Sequence, residues 1–373
     1  MTTIRRKNTR LLVLGLAGVL ATAAGAYAQD SNVKAAQDYI VSVTKSNPPW
    51  SGPTSGPSAQ KDKTIVYVSA DQRNGGALGV AEGVEEAGKA IGWSVRVIDG
   101  QGTVSGRSSA LQQAIALNPD GIVLGTVDAK EQAELISQAV GAGIKIVGWH
   151  SATNPGPSQE YKLFTNIATD PLDVAKAAAS FAVADSEGKA GVVIFTDSTY
   201  AIAIAKSDAM AEVVKDCGGC KVLSVEDTPL AEAATRIPQL TTSLLQRFGD
   251  QWTYALSIND LTFDFMSASL ASAGVAQDGH PRSISAGDGS EAAFQRIRTS
   301  FYQSGTVAEP LHLHGWQAVD ELNRAFAGQA ASGFVAPVHL VTAANIGSDG
   351  GPKNLYDPDN GYRDAYKRIW TGK

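Results

Sequence analysis

Short, β-branched apolar runs alternate with amphipathic helical patterns along most of this chain, and the pattern occurs twice. No other feature restricts the possible folds as strongly. Thr64–Ala70 (TIVYVSA) reads as a strand, and Ala77, Val80, Ala81, Val84, Ala87 and Ile91 then recur at helical spacing. Val95–Ile98, Gly121–Gly125 (GIVLG) and Ile144–Trp149 (IKIVGW) are further strands, separated by helical patterns over Ser105–Leu117 and Lys130–Val140. The same grammar restarts at Gly191. Strands are expected at Val192–Phe195, Val222–Val225, Trp252–Ser257 and Ser283–Ala286, with helices between them. Near-continuous apolar strands separated by helices imply parallel sheets covered on both faces. The expected fold is therefore α/β: two doubly wound parallel-sheet lobes, joined near Asn166–Asp170.

Ligands of such sheets bind beyond the carboxyl ends of the strands. Two lobes facing each other would bring those ends together around a cleft. The rule selects Asp71–Gly76, Gly125–Asp128 and Trp149–Ser151 from the first lobe. From the second it selects Asp197–Tyr200, Asn259–Asp260 and Gly287–Gly289. The set holds amides, carboxylates and an imidazole (Asn74, His150, Asn259, Asp260 and Asp288) beside two aromatics, Trp149 and Tyr200. An ionised Asp accepts hydrogen bonds from hydroxyls, and an Asn both donates and accepts. A Trp face covers the C–H side of a sugar ring. The competing reading is that each Asn or Asp merely caps the helix that follows. The convergent set points instead to a polyhydroxylated small molecule.

The first 28 residues carry Arg5, Arg6, Lys7 and Arg10 and no acid, then an apolar run from Leu11 to Ala24, then Ala26-Tyr27-Ala28. That order is expected of a cleavable export signal, and the run is short for a membrane span. Overall the chain has 31 basic and 37 acidic residues; without that leader the balance is 27 to 37, or −10. An acidic chain disfavours nucleic acid as a partner. Export to the periplasm places Cys217 and Cys220 in an oxidising compartment. In Cys217-Gly218-Gly219-Cys220 they close a helical pattern. They read as a small disulfide pinning a helix-to-strand turn, with a redox motif or half a zinc site as alternatives. Residues 29–63, with their Pro/Gly breaks, are expected to form a short helix and an extended tether on the outside of the first lobe.

An ordered series of motifs resembles the ribose-type periplasmic sugar-binding proteins of ABC transporters, which share a fold with LacI-type ligand domains. It comprises Ile65–Gly83 (IVYVSADQRNGGALGVAEG), Pro119–Val127 (PDGIVLGTV), Asn166–Asp170, Ala255–Asp260 (ALSIND) and Ile284–Gly289 (ISAGDG). The resemblance implies that ligand contacts fall on Asn74, Trp149, His150, Asn259 and Asp288, with Tyr200, Glu309 and His312 as replacements where the pattern departs. It departs at Gly75–Ala77, where aromatics are usual, at Trp149-His150, where Asp-Arg is usual, and at Ala203–Ala205, where an arginine is expected. It also implies three crossings between lobes, near Ile167, Pro310 and Val338. The expected division is thus 64–167 plus 311–337 for one lobe and 168–310 plus 338–373 for the other.

The function so implied is a periplasmic receptor, expected to be a monomer, that captures a sugar or polyol and delivers it to a membrane permease. A sensory receptor docking to a chemoreceptor or kinase is the alternative, and an exported enzyme a weaker one. No G-x-S-x-G, P-loop or H-E-x-x-H is present, so no catalytic residue and no cofactor is expected. No metal is expected either. His312-x-His314 would share one face of a strand but lacks a third ligand, and Asp357–Gly361 departs from a calcium loop.

Overall fold

The computed structural model describes residues 31–46 and 48–372. The leader read in residues 1–28 lies outside them. Helix α1 (31–43) comes first. The first lobe follows as β1 (Thr64–Ser69), α2 (Gly75–Ile91), β2 (Ser94–Asp99), α3 (Val104–Ala116), β3 (Gly121–Gly125), α4 (Ala133–Gly141), β4 (Lys145–Trp149), β5 (Gly156–Ser158) and β6 (Leu163–Ile167). The second lobe is built from α5 (Pro171–Asp185), β7 (Gly191–Thr196), α6 (Ala201–Asp216), β8 (Lys221–Asp227), α7 (Ala233–Phe248), β9 (Tyr254–Ser257), α8 (Leu261–Ser272), β10 (Arg282–Ser285), α9 (Glu291–Arg298) and β11 (Gln303–Val307). Then come α10 (Leu311–Phe326), β12 (Leu340–Thr342), α11 (Ile346–Asp349) and α12 (Tyr362–Thr371).

Each lobe holds one six-stranded sheet, in the orders β2-β1-β3-β4-β6-β5 and β12-β11-β10-β9-β7-β8. The central pairings are parallel; only the edge strands β5 and β12 run antiparallel. The central strands are apolar on both faces, and alternate residues enter different cores. Ile65, Tyr67, Val123, Val147 and Trp149 pack against α2 and α10, whereas Val66, Val68, Ile122, Leu124 and Ile146 pack against α3 and α4. Helices α2 and α10 cross closely, since a Cβ on Gly315 would lie 2.4 Å from the Gly83 backbone. The two doubly wound lobes read from the sequence are present.

Both chain ends depart from expectation. The segment 29–63 was expected to pack on the first lobe, but α1 packs on the second. Its Tyr39, Ile40 and Val43 meet the α5 and α6 core around Val174 and Ala178, and Ala36 meets Val183 and Cys217. Only the tether beyond it reaches the first lobe, where Trp50 lies 5.2 Å from Phe334 and 5.5 Å from Tyr366, ring to ring. Residues 338–373 were expected in the second lobe. β12 and α11 are there, but α12 returns to the first, where Trp370 stacks on Trp316 at 5.3 Å and 4°. Sequence periodicity gives such helices an apolar stripe without naming the lobe that covers it.

Cys217 and Cys220 are disulfide-bonded at the end of α6, just before β8. Closing so small a ring contributes about 2 kcal/mol in the chain-entropy account. Cys217→Ser should therefore lower the melting temperature by a few degrees and leave ligand affinity unchanged, which paired melting and calorimetry would check.

Candidate functional site

The strand ends of the two sheets meet around a cavity lined by groups from both lobes, which include Asn74, Thr126 and His150 of the first and Tyr200, Lys206, Asn259 and Asp288 of the second. Two of the amides serve their own helices and still face the cleft. Asn74 caps α2, its Oδ1 accepting from Gly76 N at 2.9 Å and Ala77 N at 3.2 Å. Asn259 Oδ1 accepts from Leu261 N at 3.1 Å. The capping and ligand readings are compatible, because each cap uses the oxygen and leaves the amide nitrogen as a donor.

Asp288 sits on the loop after β10, and Asp260 holds that loop in place. Asp260 Oδ2 accepts from the backbone N–H groups of Asp288 (3.2 Å), Gly289 (2.8 Å) and Ser290 (2.9 Å), while its Oδ1 accepts from Gln303 Nε2 at 2.8 Å. Asp260 therefore positions Asp288 rather than facing a solute. The Asp288 side chain is itself buried, beside the first turn of α2. A Cβ on Gly76 would lie 2.3 Å from its Oδ2, so the glycine at that position lets the lobes approach this closely. An aromatic there would not fit. Burial raises the Asp288 carboxyl to about 6, against the opposing pull of Lys206 and His150, and Glu309 and Asp260 push it further up.

Behind Asp288 lies a buried polar cluster. Glu309, between β11 and α10, contacts His150 Nε2 at 3.0 Å and accepts from Thr169 N at 3.2 Å, with the Lys206 ammonium 4.0 Å away. Burial alone would raise Glu309, but His150 and Lys206 hold it down at about 2. His314 is driven down to about 4 by burial, despite Glu309, and its Nδ1 accepts from Trp149 Nε1 at 3.1 Å. Ligand atoms of His150, Asp288 and Glu309 lie within 4.8 Å of one another, spacing that would suit a metal ion. The Lys206 ammonium beside them already supplies the positive charge that a cation would bring.

Five of the six residues selected from the sequence line the cavity: Asn74, His150, Tyr200, Asn259 and Asp288. Trp149 does not. Its side chain is fully buried, with the His150 ring stacked on it at 4.0 Å and 12°. It braces His150 and presents no stacking face to the cleft. His312 is also elsewhere. The pair His312 and His314, expected on a strand, lies on α10, where His312 faces Glu82 and Glu86 on the outer side. Thr126, within the selected Gly125–Asp128, also lines the cavity, whereas Lys206 was missed. Lys206 occupies the apolar stripe of α6 together with Ala203, Met210 and Val214, and a lysine in such a stripe was the available signal.

Across the cleft Arg107 of α3, itself 1% exposed, donates to Tyr200 Oη at 2.7 Å and to Gly102 O at 2.9 Å, and Glu131 holds it from behind. Ala201 N donates to Asp128 Oδ2 at 3.2 Å, a second link between lobes. These bonds exist only when the lobes are together. Arg107→Ala should weaken solute affinity about five- to tenfold, chiefly through faster dissociation, though Arg107 is not among the cavity-lining residues. Stopped-flow release kinetics would check it.

The sequence model of the periplasmic binding protein domain matches residues 65–330. Over 187 residues the chain is 23% identical to the ABC transporter periplasmic-binding protein YphF of Escherichia coli (strain K12), a match covering 48% of this chain and 57% of that protein's length. Among solved structures it is similar to a carbohydrate transporter solute binding protein from Agrobacterium radiobacter in complex with D-arabinose (TM-score 0.68, 19% identity, 80% of this chain and all of the other). It is also similar to an ABC transporter solute binding protein from Agrobacterium vitis bound with α-D-tagatopyranose (TM-score 0.68, 15% identity, 79% and 99%). Two doubly wound lobes and a family match over residues 65–330 lead to one conclusion: this chain belongs to the periplasmic binding protein domain family.

Proposed function

We propose that this protein is an exported receptor that captures a sugar or related polyol between its lobes and hands it to the permease of an ABC importer. The observation that carries the reading is the cavity wall. The amide nitrogens of Asn74 and Asn259 and the carboxylate of Asp288 converge from two lobes with capacity left for hydroxyls. A solute bridging them stabilises the closed arrangement by its differential affinity for it. The relatives bound to D-arabinose and α-D-tagatopyranose support the ligand class.

On this reading the protein acts in the periplasm as a monomer and catalyses nothing. The buried cluster behind Asp288 tunes and orients rather than transferring protons to a substrate. No helix among the described residues is long and apolar enough to cross a membrane, in keeping with a receptor that meets the membrane through its permease. A thermal-shift screen against pentoses, hexoses and alditols, with amino acids as the contrasting set, tests the proposal. A bound solute at a hundred times its Kd adds about 2.7 kcal/mol to stability. Stabilisation by amino acids and by no carbohydrate or polyol would overturn it.

A further inference from the structure

The cavity has two unlike sides. Its hydrogen-bonding groups lie at the strand ends and in the first lobe. The side formed by the start of α6 and its neighbours is aliphatic: Ile202, Ala203, Leu230 and Ile258 line it. Ile202, Ala203 and Ile258 are buried in one apolar cluster of the second lobe, and Leu230 packs against it. The polar groups nearest them are already bonded to the backbone, Thr196 Oγ1 to Ala203 O at 3.3 Å and Asp197 Oδ2 to Leu230 N at 2.8 Å. The one cation on that side is already used. Lys206 Nζ donates to Ala286 O at 2.8 Å, approaches Ile258 O at 3.5 Å and lies 4.0 Å from Glu309. Tyr200 turns its hydroxyl toward Arg107 in the opposite lobe. Trp149, the flat ring expected to cover the C–H face of a sugar, is withdrawn into the core. The second-lobe side of the cavity therefore offers the solute branched aliphatic side chains, and the first lobe's Trp149 ring does not face it.

A hydroxyl turned toward this wall would be buried without a partner, and such a group loses its bonds to water with nothing in return. We propose that the site selects solutes with one hydroxyl-free edge: deoxy sugars or methyl-bearing polyols, whose methyl group seats against Ile202, Leu230 and Ile258 while their hydroxyls meet Asn74, Asn259 and Asp288. The inference rests on the receptor reading above and narrows it.

Matched pairs that differ only at C6 test it by calorimetry: L-rhamnose against L-mannose, L-fucose against L-galactose, and D-fucose against D-galactose. In the pairs that bind, the deoxy member is expected to be at least about tenfold tighter, the order expected for one unpaired buried hydroxyl. Ile202→Thr, and Ala203→Ser as the smaller change should the first misfold, put a polar partner on the wall and should shrink that ratio severalfold. Equal or tighter binding of the hydroxylated members would overturn the inference and leave the polyol receptor reading standing. Absence of binding by every member of every pair and by the alditols would remove both. A preference for deoxy sugars that neither wall substitution alters would place its origin elsewhere and also overturn the assignment.

Discussion

Replacing Asp288 with alanine is expected to weaken solute binding by one to two orders of magnitude. In the closed cleft its carboxylate accepts from ligand hydroxyls where water no longer competes, and a hydrogen bond to a charged group contributes roughly 1.5–3 kcal/mol. The same residue sets the pH dependence. Its carboxyl is raised from 3.8 to about 6 in the folded protein, first by burial. Sign follows from direction: an acid raised on folding favours the native state while protonated, and that contribution is lost as pH rises through about 6. Ligand hydroxyls favour the ionised form instead. Affinity should therefore hold above pH 7 and fall below 6, by about tenfold near pH 5 relative to the plateau. Asp288→Asn should flatten that dependence, and because it removes a buried charge it should not destabilise the unliganded protein. Calorimetry across pH 5–8 on both proteins checks each part.

Trp316→Ala is expected to be the most destabilising single change, costing about 3–5 kcal/mol. Trp316 is 1% exposed at the centre of the aromatic cluster that fastens α12 to the first lobe, stacked on Trp370 and close to Tyr362 and Tyr366. Trp370 in turn donates to Asp320 Oδ1 at 2.8 Å, and its carbonyl accepts from Ala59 N at 2.9 Å, so the tether is held through the same helix. Losing the indole should loosen α12 and the tether together. Hydrogen exchange should show both segments losing protection along with the lower melting temperature. A loss confined to α10 would mean that the two ends are anchored independently.

The lobes were legible because buried parallel strands leave short, almost wholly apolar runs that no surface element imitates. The cavity residues at strand ends were legible for a topological reason, since Asn74, Asn259 and Asp288 lie on the loops that follow β1, β9 and β10. Trp149 shows the limit of that rule. It ends β4, but strand alternation puts it on the same face as Val147, and both enter the core under α2 and α10. Period two, applied to this one strand, places it with Val147 on one of two faces that are both buried. The Glu309 cluster was less visible, because residues 150, 206, 309 and 314 come together only through the crossings. The lobes that α1 and α12 join were not legible at all, since an amphipathic stripe specifies that it is covered and not by what.

A crystal structure grown with the strongest stabiliser from the carbohydrate screen would decide whether a polyol sits between the lobes. One solute molecule is expected in the cleft, within hydrogen-bond distance of the Asn74 and Asn259 amide nitrogens and the Asp288 carboxylate, with the Arg107–Tyr200 bond formed across it. A solute bound outside the cleft, or bound within it without contact to Asp288, would rule out this mode of capture.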